Sequence, residues 1–255
     1  LGGCGGRMDP PTAYVFPEAY DRITVIKGPQ TVSHGPGNSA GTVMFEREQK
    51  RFSQPGWSLY GSLLGGSFGR NDEVIDARVG NQLLDGRIAA TRSDMNDYKD
   101  GSGNSIHSAY TRWSTNAVLG WNVNTSTRLE LSGAKSDGEA AYADRAMDGS
   151  KFERDNIGLK LDMRKPMANV ERVEAQLFHN YIDHVMDNYT LRDTTGMAMA
   201  MNPDRLTTGG RFALTLAPAK QTELKLGLDQ QSNIHTNRSG APAIPVGSKP
   251  RVEDA

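Results

Sequence analysis

The chain has 255 residues, 29 basic and 30 acidic side chains and a net charge of -1, so no basic excess points to nucleic acid. No apolar run approaches the eighteen or more residues of a transmembrane helix. The mean hydropathy of -0.57 still permits a membrane wall of strands, because a spanning strand needs about 9–11 residues and turns only every second one to lipid.

The first element, LGGCGGRMDPP, carries Cys4 and Met8. Gly2, Gly3, Gly5 and Gly6 disfavour a helix and Pro10-Pro11 stiffen its far end, leaving a loop that can wrap closely around a small ligand. Cys4 is the sole cysteine, so no intrachain disulfide forms, and in an oxidising compartment a lone thiol is a liability unless buried or bound. The chain opens at Leu1 without an initiator Met or signal peptide and ends at Ala255 without a terminal strand pattern, which leads us to expect an internal piece of a longer protein.

Next comes Tyr20 to Glu46, YDRITVIKGPQTVSHGPGNSAGTVMFE. Ile23, Val25 and Ile26 form a β-like run that Gly28-Pro29 breaks; Gly35-Pro36-Gly37 breaks the chain again, and Gly41 precedes Thr42-Val43-Met44-Phe45. The order IxVIKGPQ, then GPG, then GxV and an acidic residue resembles the last part of the plug domain of TonB-dependent outer-membrane receptors. His34 departs from that pattern, which more often has an aromatic residue before the GPG turn. The resemblance implies an all-β transmembrane fold, part of a plugged antiparallel outer-membrane β-barrel. Residues 1–50 would be the C-terminal part of an α/β plug domain and residues 51–255 the N-terminal part of the barrel.

From about residue 57 the pattern alternates. In Tyr110 to Val123 one face carries Trp113, Ala117, Leu119, Trp121 and Val123, the other Arg112, Ser114, Asn116 and Asn122. Two tryptophans eight positions apart span roughly 27 Å of strand, or roughly 19 Å vertically at a tilt near 45°, which fits two aromatic girdles. Ile157, Leu159, Leu161 and Met163 alternate with polar neighbours, as do Phe212, Leu214 and Leu216, and Leu224, Leu226 and Leu228. About nine such strands are expected, with brief turns near 84–86, 124–126, 166–168 and 218–220 and long polar loops near 98–108, 138–153 and 188–206. Short periplasmic turns and long extracellular loops are the known asymmetry of outer-membrane barrels. About 22 strands are expected of a whole plugged transporter, so the wall is incomplete.

His184 and Met186 stand in FHNYIDHVMDNY, near the end of a long strand starting near Val170. Parity places Val173, Ala175, Leu177, His179 and Tyr181 toward lipid, and Glu174, Gln176, Asn180, His184 and Met186 toward the lumen, near the extracellular mouth. One thiolate, one imidazole and two thioethers make a soft donor set suited to Cu(I) and poorly suited to zinc, magnesium or calcium. Singly, a Cys is often an inert apolar residue, a Met a gap-filler and a wall His polar lining. Together, Cys-x3-Met and His-x-Met resemble the copper-binding pairs of TonB-dependent copper receptors of the OprC type. That resemblance carries the role of metal ligand onto Cys4, Met8, His184 and Met186, with copper as cargo, Cu(I) preferred over Cu(II). Met197, Met199 and Met201 after that strand and Met147 before it form a candidate secondary relay.

Among the other histidines, His107 and His235 are placed in or near loops and His34 at the plug turn, none with a soft partner at fixed spacing. Asp94, Asp97 and Asp100 do not fit the D-x-[DN]-x-[DN]-G calcium loop. With no nucleophile elbow, phosphate loop or HExxH, nothing supports catalysis, and no enzyme is expected. The resemblance implies the TonB energy-coupling complex, a copper ion or copper carrier and outer-membrane lipid as partners, in the outer membrane of a Gram-negative bacterium, without nucleic acid. The alternatives are a receptor for an iron-siderophore, cobalamin or other large ligand and, in another class, a passive porin or surface adhesin.

Overall fold

The computed structural model describes residues 14–28, 41–48, 52–194 and 196–240. Cys4, Met8, His34 and the Gly35-Pro36-Gly37 turn lie outside these residues. Two short strands, β1 (Arg22–Lys27) and β2 (Gly41–Glu46), pair antiparallel, with Ile23 opposite Phe45 and Val25 opposite Val43.

The rest is a wall. Its strands are β3 (Gly56–Gly65), β4 (Asn71–Gly80), β5 (Leu84–Met95), β8 (Tyr110–Asn122), β9 (Thr127–Ala140), β10 (Asp148–Met167), β11 (Val170–Asp187), β12 (Ala200–Ala219) and β13 (Thr222–Gly240). A small hairpin, β6 (Tyr98–Lys99) with β7 (Ser105–Ile106), stands in the connection between β5 and β8. The nine wall strands pair antiparallel in sequence order, an up-and-down meander with no crossover.

Alternation along the strands produces a wall whose polarity is inverted relative to a soluble sandwich. On β8, Trp113, Leu119 and Trp121 are 37%, 56% and 46% exposed, while Ser114, Asn116 and Asn122 on the opposite face are buried. Ile157, Leu159, Leu177, Phe212, Leu224, Leu226 and Leu228 continue the exposed apolar outer face. The inner face is polar, and its buried charges are paired, as removal from water requires. Arg128 is held by Asp85 and Asn122, in space left by Gly120, whose missing Cβ would fall on the guanidinium. Asp162 takes both arms of Arg172 at 2.8 and 3.0 Å.

Connections alternate in length: residues 81–83, 123–126, 168–169 and 220–221 on one rim, and 66–70, 96–109, 141–147 and 188–199 on the other. Asp85-Gly86 reads as a turn, yet both residues pair with β4, because Asn81 Oδ1 accepts the amides of Leu83 and Leu84 and closes the chain earlier. The expected loops at 138–153 and 188–206 are shorter, since β10 and β12 run on to 20 residues each. Asn202-Pro203-Asp204, expected in the loop 188–206, lies in β12. Asn202 Nδ2 donates to the His184 carbonyl at 2.9 Å, supplying a donor where Pro203 has no N–H. His235 and Met201 consequently sit in strands, opposite Arg205 and Met186.

The buried apolar cluster lies where the N-terminal segment meets the wall. Tyr14, Val15, Phe16 and Ala19 are buried, and Tyr14 packs with Phe152 of β10 and Ile182 of β11. Arg154 Nη1 donates to the Tyr14 carbonyl at 3.3 Å, and the Arg112 guanidinium sits 4.9 Å from the Phe16 ring centroid. Polar ties continue below. Asp21 accepts from Arg78 at 2.6 Å and Arg87 at 2.8 Å, with Asp76 shared by both arginines, and Arg47 donates to Asn116 at 2.8 Å.

Candidate functional site

β11 alternates inward and outward residues as its sequence requires, with Leu177 exposed outside and Gln176 lining the interior beside Arg211 and Lys225. His179 is exposed, its Nδ1 2.9 Å from Thr208 Oγ1. Near the long-connection rim the same phase carries Ile182, His184 and Met186 inward. His184 is 1% exposed and Met186 8%.

Three groups fix the imidazole. Phe152, its partner across the ladder, lies 4.6 Å away between centroids, and Tyr14 lies 6.3 Å away edge-on at 78°. His184 Nδ1 meets the Lys151 carbonyl at 3.1 Å. A carbonyl only accepts, so Nδ1 donates, and in the neutral ring the lone pair is on Nε2. A hydrogen bond that sets the tautomer in this way is what orients a ligating imidazole.

Met186 stands directly opposite Met201. Two residues further, Asn188 faces Met199: its amide donates to the Met199 carbonyl at 3.3 Å, and its Oδ1 accepts the Met199 amide at 2.8 Å. Asn188 Nδ2 also donates to the Met197 carbonyl at 3.0 Å, so one side chain cinches the connection 188–199. Met197 and Met199 are exposed, Met201 is half-buried and Met186 is buried, a descending series of thioethers. Met147 is half-buried and precedes Asp148, whose partner across the ladder is Asp187, so it stands at the height of that connection.

Cys4 and Met8 fall outside the described residues; of the rest of the expected set, His184 and Met186 share one face of β11, Met201 stands opposite Met186 and Met199 opposite Asn188. The aromatic neighbours Tyr14 and Phe152 carry no metal-ligand pattern and are not among the residues expected from the sequence. Tyr14 begins an aromatic run, YVFPEAY, that could have marked a docking segment. Asp97 and Asp100 spend their oxygens on their own connection: Asp97 Oδ1 accepts the amides of Ser108 and Ala109, and Asp100 Oδ1 those of Ser102 and Asn104. Those bonds hold the Asp97 carboxyl below its ordinary range.

No protein-family model and no curated protein matches the chain. Among solved structures, it is similar to a copper transporter, OprC, with 45% identity, a TM-score of 0.89, and coverage of 94% of this chain and 37% of that one. The FrpB iron transporter of Neisseria meningitidis (F3-3 variant) matches at 16% identity and TM-score 0.68, over 90% of this chain and 38% of that one. The structure of an FpvAI–pyocin S2 complex matches at 15% and 0.62, over 87% and 32%; at these identities the likeness is one of fold alone. The chain thus spans under two fifths of each of these structures. A meandering wall with an apolar outside and a polar lining, 45% identical to OprC along nearly all its length, belongs to the TonB-dependent receptors, and this chain is an OprC-type member of that family.

Proposed function

We propose that this chain supplies the end of the plug, residues 1–50, and the first part of the wall, residues 51–255, of an outer-membrane copper importer. Copper is the cargo, held between Cys4 and Met8 of the N-terminal loop and His184 and Met186 of β11. The observation that carries this reading is the packing of Tyr14 against His184, 6.3 Å between ring centroids. Met8 is six and Cys4 ten residues from Tyr14, so extended chain can span at most about 20 Å and about 35 Å, lengths that permit both to reach the imidazole.

The soft donors favour Cu(I) over Zn(II), and a loop from one element with a strand from another allows release when the two separate. Met147, Met197, Met199 and Met201 take the ion from outside and pass it inward, and the TonB complex supplies the energy from the periplasm. Metal analysis of the purified intact receptor tests the assignment. One copper per chain is expected, with most of it lost in Cys4→Ala and in His184→Ala while both variants remain folded. Stoichiometric copper retained in both variants would sink the ligand set. Absence of copper with a co-purifying organic ligand would favour an iron-chelate or cobalamin receptor.

A further inference from the structure

Three surface connections of the wall converge on one carboxylate that the copper reading leaves without a role. Asp148, the first residue of β10, is 0% exposed. Its Oδ2 lies 2.9 Å from His107 Nε2 and accepts from Arg192 Nε at 2.7 Å. Its Oδ1 accepts from the Tyr142 amide at 2.8 Å and from Arg192 Nη2. Arg192 also donates to the carbonyls of Arg145 and Tyr142, both at 2.9 Å. His107 belongs to the connection 96–109, Tyr142 and Arg145 to 141–147, and Arg192 to 188–199.

A carboxylate withdrawn from water is tolerated only when donors surround it, and here the donors come from three separate segments. The strand ladder does not need them, because its own backbone bonds hold it. What they order is the surface. The connection 188–199 carries Met197 and Met199, whose backbone Asn188 binds where the connection returns to the wall. Tyr189 and Thr190 are fixed by Asp187. Arg192 ties the part beyond to the other two connections.

We propose that Asp148 is a positioning residue for metal capture. It staples the three connections so that Met197 and Met199 are presented beside the Met186–Met201 pair. The proposal rests on the copper reading and adds the part that governs its rate. Capture at low metal depends on the fraction of time the methionine-bearing connection is in its competent arrangement, whereas the amount finally bound is set by the inner ligands.

The test uses the intact receptor and Cu(I) at limiting concentration, following loading rate, final stoichiometry and amide exchange in 188–199. Asp148→Asn keeps the shape and removes the charge, Arg192→Gln removes its main partner, and Asp148→Glu restores the charge. If the competent fraction falls to about a tenth, Asp148→Asn and Arg192→Gln each slow loading roughly tenfold, and the double variant does little more. Exchange in 188–199 quickens, stoichiometry stays at the unaltered value, and Asp148→Glu recovers part of the rate. Loading at the unaltered rate in Asp148→Asn overturns the proposal alone, and so does a fall in stoichiometry, which would make Asp148 part of the site's own framework. An unaltered receptor that takes up no metal overturns the copper reading and this proposal with it. Should Asp148→Asn fail to fold, Arg192→Gln decides between the same outcomes.

Discussion

Replacing Asp21 by Asn should loosen the N-terminal segment from the wall without touching the strand ladder. Asp21 is the acid between Arg78 at 2.6 Å and Arg87 at 2.8 Å, whose side chains are 15% and 10% exposed. Its removal leaves two guanidinium groups on adjacent strands to share Asp76. Charge-assisted bonds contribute about 1.5–3 kcal/mol each when water is excluded, but Asp21 is partly wet and Asp76 remains, so about 2 kcal/mol is the expected loss. That is roughly a 30-fold shift in the docked-to-released equilibrium. Hydrogen exchange in the intact receptor reads it directly, because a two-stranded hairpin is marginal in water by itself and the amides of β1 and β2 should lose protection on release. Adding Arg87→Gln to Asp21→Asn should restore part of the protection by removing the excess charge. Unchanged protection in Asp21→Asn would refute the reasoning. The pH dependence has a fixed sign. Burial acts to raise the Asp21 carboxyl, but the Glu48 amide and the two arginines outweigh it and hold the group below 3.8. A depressed folded value means the stabilisation is fully present above 3.8 and lost as the pH falls through the folded value, so docking should be flat across about pH 5 to 8 and weaken only in acid.

Spin labels at Leu177 and Gln176 should report opposite surroundings, 177 a lipid-soluble quencher and 176 a water-soluble one; lipid contact at 176 would mean the register is off by one. Met201→Ala should weaken copper retention less than Met186→Ala, by roughly tenfold or under, as measured by competition with a Cu(I) chelator, because the partner across the ladder assists the ligand without being one. Gly120→Ala should lower barrel stability by about 1–3 kcal/mol, seen as an earlier heat-induced gel shift, because the new methyl occupies the Arg128 guanidinium's place; an unshifted transition would show that Arg128 relocates freely.

Alternation is legible wherever the outer face has to be apolar. Period alone assigns Trp113 to Trp121, Ile157 to Met163 and Leu224 to Leu228 to the correct face, and it does the same for His184 and Met186. Strand ends are more legible on the short-turn rim, though the turn expected at 84–86 closes at 81–83, and those expected at 166–168 and 218–220 close at 168–169 and 220–221, because β10 runs through Pro166 to Met167 and β12 through Pro218 to Ala219. On the other rim, β10 and β12 continue through Gly149, Asn202 and Pro203, residues whose local preference is a turn. Side-chain donors such as Asn202 and cross-strand partners such as Lys151 and Asp183 override that preference, and no local pattern reveals them. The stapling of three connections by Asp148 is illegible for the same reason: His107, Tyr142 and Arg192 are remote in sequence and meet only because the meander returns each connection to one rim.

The uneven strand lengths explain why the candidate site sits where it does. β3 and β4 have 10 residues each, whereas β10 and β12 have 20. At about 3.3 Å per residue and a tilt near 45°, 10 residues rise about 23 Å, close to an apolar band about 25 Å tall, and 20 residues rise about 47 Å. The turns at 168–169 and 220–221 are too brief to absorb the excess, so it projects from the long-connection rim. The outer face records the crossing: below it are Ile157 and Leu159, above it Asp155 with Lys135, then Glu153 and Lys151. Such charges are costly in hydrocarbon and ordinary in water. Phe152 and His184 pair beyond that line, so the imidazole is held in the projecting part of the wall. There, polar and soft donors can be gathered on the inner face without exposing a charged outer face to lipid. The tall side of the wall thus provides both the height at which the N-terminal segment can dock and a stretch where the inward imidazole and thioether and a water-compatible outer surface coexist among the described strands.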